Sequence, residues 1–309
     1  MALLLYSLDD DLPGWRRELL ARRPGLDVRV WPEVGDPAGI EAALVWLPPP
    51  GLLAGLPGLR AILSLGAGVE ALLRDPTLPE GVPLCRMVDP GLTRSMAEYV
   101  LAHVLKYHRE LDVYAAQQRR GVWRLRLPLP AGRRTVGVMG LGVLGAEAAG
   151  ALARHGFRVK GWGRSPKAVD GVECHAGEAG LDAFLDGLDV LVCLLPLTPE
   201  TEGVLSAGLF AKLPRGARLV NAGRGRHLVE RDLLDALDAG RLAHATLDVA
   251  REEPPPPDHP FWRHPLVDLT PHVAAYVQPE TGADGVLENL RRLEAGEPLL
   301  NVVDRGRGY

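Results

Sequence analysis

Gly140-Leu-Gly142-Val-Leu-Gly145 follows the apolar run Thr135–Met139 and opens a segment, Val143–His155, of helical character. A strand that turns sharply into a helix aims free backbone N–H groups, and the helix's positive end, at a bound pyrophosphate. In that role Gly140 permits the tight turn, Gly142 the approach of phosphate and Gly145 the contact of helix with strand. The same spacing occurs in ordinary strand–helix connections, so the flanking elements carry the reading.

A dinucleotide site reads its ribose at the end of the next strand, commonly with Asp or Glu on the 2′-OH. Here that stretch is Gly161-Trp162-Gly163-Arg164-Ser165-Pro166-Lys167, without a carboxylate. Arg164, Ser165 and Lys167 suit a 2′-phosphate through charge-assisted hydrogen bonds. NADP(H) is therefore expected in preference, with NAD(H) as the alternative.

Three further stretches each follow an apolar run: Asn221-Ala-Gly-Arg224-Gly, Asp248-Val-Ala-Arg-Glu252-Glu253-Pro254 and Thr270-Pro-His272-Val-Ala-Ala275. They bring a guanidinium, a carboxylate and an imidazole to strand ends, the edge where doubly wound sheets place their chemistry.

Those ends need a sheet to hold them. Runs at Thr135–Met139, Arg158–Trp162, Val190–Leu194, Arg218–Asn221, Ala243–Leu247 and Val267–Leu269 are nearly all continuously apolar, as in parallel strands covered on both faces. With helices such as Asp232–Ala239 between them, six strands match a doubly wound dinucleotide-binding domain. The first third of the chain alternates likewise, with strands at Leu3–Tyr6, Val28–Trp31, Ala43–Leu47 and Ala61–Leu65 and a helix over Leu12–Arg22. Ser95–Arg120 reads as one long helix, and Pro279–Ala295 as a helix returning to the first domain. The fold expected is α/β: two Rossmann-like domains, a dinucleotide-binding domain (99–276) and a smaller flavodoxin-like substrate domain (1–98 plus 277–309). The cleft between two such domains is the default place for a ligand.

Bulk composition narrows the function. The chain has 309 residues, 47% hydrophobic and 24% charged, with net charge −4, so no overall basic field calls for nucleic acid or an anionic membrane. Arg119, Arg120, Arg124, Arg126, Arg133 and Arg134 read as a solvated surface or a subunit contact. Cys85, Cys174 and Cys193 stand far apart, which fits a reducing compartment and offers no metal site. Asp9, Asp10 and Asp11 in place of a basic leader point to no secretory signal, and a cytoplasmic protein is expected.

The chain resembles the D-isomer-specific 2-hydroxyacid dehydrogenases and, within them, the glyoxylate/hydroxypyruvate reductases. The likeness runs from the first strand to the tail. It includes the glycine loop, Leu195-Pro196-Leu197-Thr198, the Asn-x-Gly-Arg-Gly element, the Glu-Pro pair, the Pro-His element, Val45-Trp46-Leu47-Pro48-Pro49 and Leu65-Gly66-Ala67-Gly68-Val69. The resemblance implies a catalytic set of Arg224, Glu253 and His272, acting on a 2-oxo acid. Arg224 would hold the carboxylate and polarise the carbonyl. His272, of a residue type with an ordinary pKa of about 6.5, would donate the proton. Glu253 would favour the imidazolium and fix its ring; Glu252 is its immediate competitor. The backbone amides of Ala67 and Gly68 would receive the substrate carboxylate, and Trp46 would wall the pocket. Asp248 would face the nicotinamide, or else form a turn. Met96, Leu144, Trp162, Leu195, Pro196 and Ala222 would line the cofactor.

Several positions depart from the resembling pattern. They are Ala250, Tyr276, Gln278 and Asp89-Pro90-Gly91, which leave the reaction class alone and blur substrate preference. The resemblance also admits a dehydrogenase of another D-2-hydroxy acid, or a nucleotide-sensing binding protein of the same fold. A homodimer is expected through Ser95–Arg120 and the arm Gly121–Pro130, with Trp123 as anchor.

Overall fold

A strand followed by a helix returns beside its predecessor in the same direction, so alternating runs build parallel sheets covered on both faces. The computed structural model describes residues 1–306 and divides into two units, Met1–Leu92 with Tyr276–Tyr309, and Thr93–Ala275. In chain order the helices are α1 (Leu12–Arg22), α2 (Glu70–Leu73), α3 (Pro90–His108), α4 (Leu111–Arg119), α5 (Val143–Arg154), α6 (Leu181–Leu185), α7 (Ala207–Lys212), α8 (Glu230–Asp238) and α9 (Pro279–Ala295).

The first unit holds β1 (Ala2–Tyr6), β2 (Asp27–Val30), β3 (Ile40–Val45), β4 (Ala61–Ser64) and β5 (Leu84–Cys85), all parallel, in the order β2-β1-β3-β4-β5. That is the flavodoxin-like order. β1 lies inside and every one of its residues is buried. Trp15 of α1, fully buried, packs against Gly282 of α9, which ties the returning tail to this unit. β5 has only two residues, too few to show a pattern. The tail closes onto it, with the Val303 amide donating to Leu84 O at 2.8 Å.

The second unit holds β6 (Thr135–Met139), β7 (Arg158–Gly163), β8 (Val172–Ala176), β9 (Val190–Cys193), β10 (Ala217–Asn221), β11 (Leu242–Leu247) and β12 (Val267–Leu269). All are parallel, in the order β12-β11-β10-β9-β6-β7-β8. Seven strands stand where the sequence suggests six. The addition, β8, is an edge strand whose Glu173 and His175 break any apolar run, because an edge need not be buried. The chain reverses its direction of sheet growth between β6 and β9, so the loops after these strands lie side by side.

The single long helix expected over Ser95–Arg120 is instead two, and the first starts earlier. Asp89 caps it, its Oδ2 accepting from Leu92 N at 2.8 Å, with Pro90 in the first turn. The break falls at Glu110, whose φ of 53° is left-handed. Its carboxylate is gripped by Arg126 and lies 3.6 Å from Arg134. Arg134 also pairs with Asp189 at 3.2 Å. Two of the six arginines expected on a solvated face or subunit contact are thus intrachain braces of the kink and the arm.

Cys193 is fully buried and burial pushes its thiol up to about 12; Cys85 is pushed up to about 11 in the same way. Both are inert at neutral pH. Among the described residues no helix is long and apolar enough to cross a membrane.

Candidate active site

The glycine loop sits between β6 and α5, at the switch point. Gly140 has φ +103°, and a Cβ there would lie 2.5 Å from Leu194 O, so the two switch-point loops meet backbone to backbone. A Cβ on Gly145 would stand 1.8 Å from Gly140 O, which locks the first turn of α5 against the loop. Gly142, the N-cap of α5, faces open space with no atom within 4 Å of a built Cβ. An uncovered helix start of twelve residues, reached across a residue without a side chain, fits a pyrophosphate. Leu144 is half-buried beside it and Met96 of α3 is buried in the core below.

At the end of β7 Trp162 is half-buried and donates from Nε1 to Gly177 O at 2.9 Å. Arg164, Ser165 and Lys167 follow, all exposed. Glu200, in the loop after β9, has a pKa below the usual carboxylate range, lowered chiefly by the Thr198 hydroxyl and, least, by the charge of Arg164. In that loop Leu195 is buried and Pro196 exposed.

The β10 loop is built around two buried polar side chains. Asn221 accepts from Gly223 N at 3.2 Å and donates to Arg224 O at 3.1 Å, which folds the chain back under Arg224. His227 accepts at Nδ1 from Arg224 N at 3.0 Å and meets Pro196 O through Nε2 at 3.2 Å. An amide N–H can only donate and a carbonyl can only accept, so His227 is the neutral Nε2–H tautomer. Its ring pins the Arg224 turn to the loop after β9. Neither residue is singled out by sequence as a site residue; Asn221 is only part of a motif and His227 follows it. Ala222 is buried, its amide donating to Cys193 O at 3.2 Å.

The β11 and β12 loops bring an imidazole and a carboxylate together. His272 Nδ1 lies 2.7 Å from Glu253 Oε2. Burial raises the Glu253 pKa, but the His272 hydrogen bond and charge, the Ala250 amide and Arg224 together outweigh it and hold it below the ordinary value of 4.5. The carboxylate is therefore ionised and accepts, Nδ1 carries hydrogen, and Nε2 is the nitrogen left to exchange a proton. Of the two neighbouring glutamates it is Glu253 that meets the histidine.

The charge of Arg224 is the smallest of the influences that lower the Glu253 pKa, and the turn bearing it packs against the Glu253 segment. The approach depends on Gly225: a Cβ there would stand 1.9 Å from the carbonyl carbon and oxygen of Ala250. The turn bearing Arg224 thus rests directly on the segment bearing Glu253. Arg224, Glu253 and His272 come together in one unit, on three successive strand ends.

Asp248 is buried and its carboxylate binds the His272 loop. Oδ1 accepts from Thr270 Oγ1 at 2.6 Å and Val273 N at 2.9 Å, and Oδ2 from Ala274 N at 2.8 Å. The other unit carries Trp46, Ala67 and Gly68, all half-buried. There the Trp46 ring lies over Gly66, where a Cβ would meet Cζ3 at 2.2 Å. The indole is thus seated against the turn that leads into Ala67 and Gly68.

A switch-point glycine loop with an imidazole–carboxylate pair and a guanidinium on the same sheet edge is the equipment of a nucleotide-dependent oxidoreductase. Residues 101–274 match the family model described as D-isomer specific 2-hydroxyacid dehydrogenase, NAD binding domain. A protein of Yersinia enterocolitica called glyoxylate/hydroxypyruvate reductase A is 45% identical over 100% of both chains, and one of the same name from Serratia proteamaculans 46% identical over the same extent. A D-isomer specific 2-hydroxyacid dehydrogenase of Xanthobacter autotrophicus, solved with NADPH and MES, superposes with a TM-score of 0.96 at 46% identity, covering 100% of this chain and 99% of that one. The NADPH-dependent glyoxylate/hydroxypyruvate reductase of Sinorhizobium meliloti, solved with NADP and sulfate, gives 0.93 at 41% identity over 100% of each chain. The chain belongs to the D-isomer-specific 2-hydroxyacid dehydrogenase family.

Proposed function

We propose that this protein is an NADPH-dependent reductase of small 2-oxo acids, converting glyoxylate to glycolate and hydroxypyruvate to D-glycerate. The observation that carries it is the 2.7 Å contact that commits His272 Nδ1 to Glu253. The relatives named above add the substrate class and the phosphorylated cofactor.

NADPH, when bound, supplies the hydride. Gly140, Gly142, Leu144 and Gly145 would hold its pyrophosphate, and Arg164, Ser165 and Lys167 its 2′-phosphate. Met96, Trp162, Leu195, Pro196, Ala222 and the Asp248 loop would surround the rest. Arg224, a planar fork of donors, takes the substrate carboxylate and polarises the adjacent carbonyl. His272 delivers the proton from Nε2 to the carbonyl oxygen, while Glu253 stabilises the imidazolium before that transfer and fixes its orientation. The amides of Ala67 and Gly68 bind the carboxylate and Trp46 limits pocket size.

NADPH oxidation with glyoxylate, and separately with hydroxypyruvate, tests this. Turnover that falls by about 10³-fold or more in His272→Gln is expected for loss of a general acid together with its hydrogen bond. Tight NADPH binding with no turnover of either acid would instead indicate a nucleotide sensor.

We further propose that the protein is a homodimer. The arm after α4 exposes Trp123 fully, with Leu125 and Leu127 77% and 83% exposed, more apolar surface than a solvated segment leaves bare. Sedimentation of Trp123→Asp as a monomer beside a dimeric wild type is the expected result; a wild-type monomer at micromolar concentration would sink the proposal.

A further inference from the structure

His272 has φ +53°, in the left-handed region that few non-glycine residues occupy and that the surrounding contacts must hold in place. Its own amide donates to Asp248 O at 2.8 Å and to Thr270 O at 3.1 Å. The next two amides and the Thr270 hydroxyl all end on the Asp248 carboxylate. Thr270 spends its single hydroxyl hydrogen there. Tyr99 Oη, 2.7 Å from Thr270 Oγ1, must then be the donor in that contact. Burial pushes the Tyr99 phenol well above its ordinary value, so it remains a neutral O–H. One turn before it on α3, Ser95 Oγ donates to Ala274 O at 3.2 Å. Residues four apart share a helix face, so α3 grips the loop on both sides of His272 at once.

We infer that Tyr99 and Ser95 are positioning residues for the acid–base histidine, Tyr99 acting through Thr270 and the Asp248 carboxylate and Ser95 through the Ala274 carbonyl. The inference rests on the reading of His272 as proton donor. Without these hydroxyl contacts the loop is free to leave its left-handed turn and Nε2 drifts from the position needed for transfer. Neither residue touches a reacting atom on this account, so substrate and cofactor binding are spared and the chemical step is slowed.

The test compares kcat and KM for NADPH and glyoxylate in Thr270→Val, Thr270→Ser, Tyr99→Phe and Ser95→Ala. Misplacement of a catalytic group by about 1 Å costs roughly a hundredfold, so kcat is expected to fall about 100-fold in Thr270→Val and about 10-fold in Tyr99→Phe, with both KM values within about 2-fold of wild type. Thr270→Ser keeps the hydroxyl and should restore kcat. The solvent deuterium isotope effect on kcat should rise in the impaired variants, because proton delivery becomes the slow step. A purely structural role would not move that signature. If Thr270→Val does not fold, Tyr99→Phe combined with Ser95→Ala decides the matter.

Wild-type kcat in Tyr99→Phe and Ser95→Ala, beside an inactive His272→Gln, would overturn the positioning role and leave the proton-donor reading standing. So would a loss carried by KM alone. An active His272→Gln would remove the proton-donor reading itself, and this inference with it.

Discussion

Replacing Gly225 by alanine is the sharpest probe of how the site is held together. The new Cβ would stand 1.9 Å from the carbonyl carbon and oxygen of Ala250 and 2.4 Å from Arg251 N. All three are backbone atoms, so no side chain can swing aside. Reaching an ordinary contact of 3.4 Å needs a separation of about 1.5 Å between the Arg224 turn and the segment ending in Glu253. Overpacking of this kind costs about 1–3 kcal/mol of stability, which a domain of this size survives. Catalysis is far less tolerant, since about 1 Å of misplacement costs roughly a hundredfold, so kcat for glyoxylate should fall by about 10²-fold or more. The NADPH dissociation constant, measured by protein fluorescence quenching, should rise far less than kcat falls, because the residues proposed for the pyrophosphate and 2′-phosphate lie on other strands. Circular dichroism controls for folding. A folded Gly225→Ala enzyme with wild-type kcat would refute the claim that backbone contact between these loops sets the geometry of Arg224 and Glu253.

Three further outcomes are expected. Glu253 has a folded pKa held below its ordinary 4.5, so its contribution to stability is present above about pH 4.5 and lost as pH falls through the lower, folded value. Urea midpoints of wild type and Glu253→Gln should accordingly differ near neutrality and converge in acid, and a gap that stays constant would count against the pairing. Arg164→Asp replaces a charge-assisted donor by a like charge and should lower the NADPH-to-NADH ratio of kcat/KM by about 10²-fold; an unchanged ratio would remove the role of the β7 end in phosphate recognition. Gly66→Ala places a Cβ 2.2 Å from Trp46 Cζ3 and must push the ring away. KM for glyoxylate should rise with little change for NADPH, measured by initial rates; an unaltered glyoxylate KM would free Trp46 of any part in the pocket.

Sequence made the central strands and the polar side chains at their ends readable because both are written in local pattern. β6, β9, β10 and β11 are buried on both faces, so nearly every residue is apolar, and the glycine turn is a short motif with a mechanical cause. β8 escaped because an edge strand tolerates Glu173 and His175. The break between α3 and α4 escaped because Glu110 is a fair helix former whose left-handed backbone comes from partners at Arg126 and Arg134, sixteen and twenty-four residues away. Within the site, the pairing of His272 with Glu253 and not Glu252 needed geometry, since only the following proline set the register. The supports were hidden for the same reason: Tyr99 reads as one more apolar-face residue of a helix, and His227 as a polar residue near a turn. Their value lies in contacts with Thr270 and Arg224 that no spacing rule encodes.

The whole of Arg224, Glu253, His272, their braces and the glycine loop falls within Thr93–Ala275, an uninterrupted run of chain, whereas Trp46, Ala67 and Gly68 lie in the segment ahead of it. The residues proposed to deliver the proton therefore lie on a single continuous cassette, while those proposed to choose the acid can be exchanged by recombination at two junctions. Chimaeras that keep this cassette and borrow the flanking segments from a relative should acquire the donor's substrate preference without having to rebuild the chemistry.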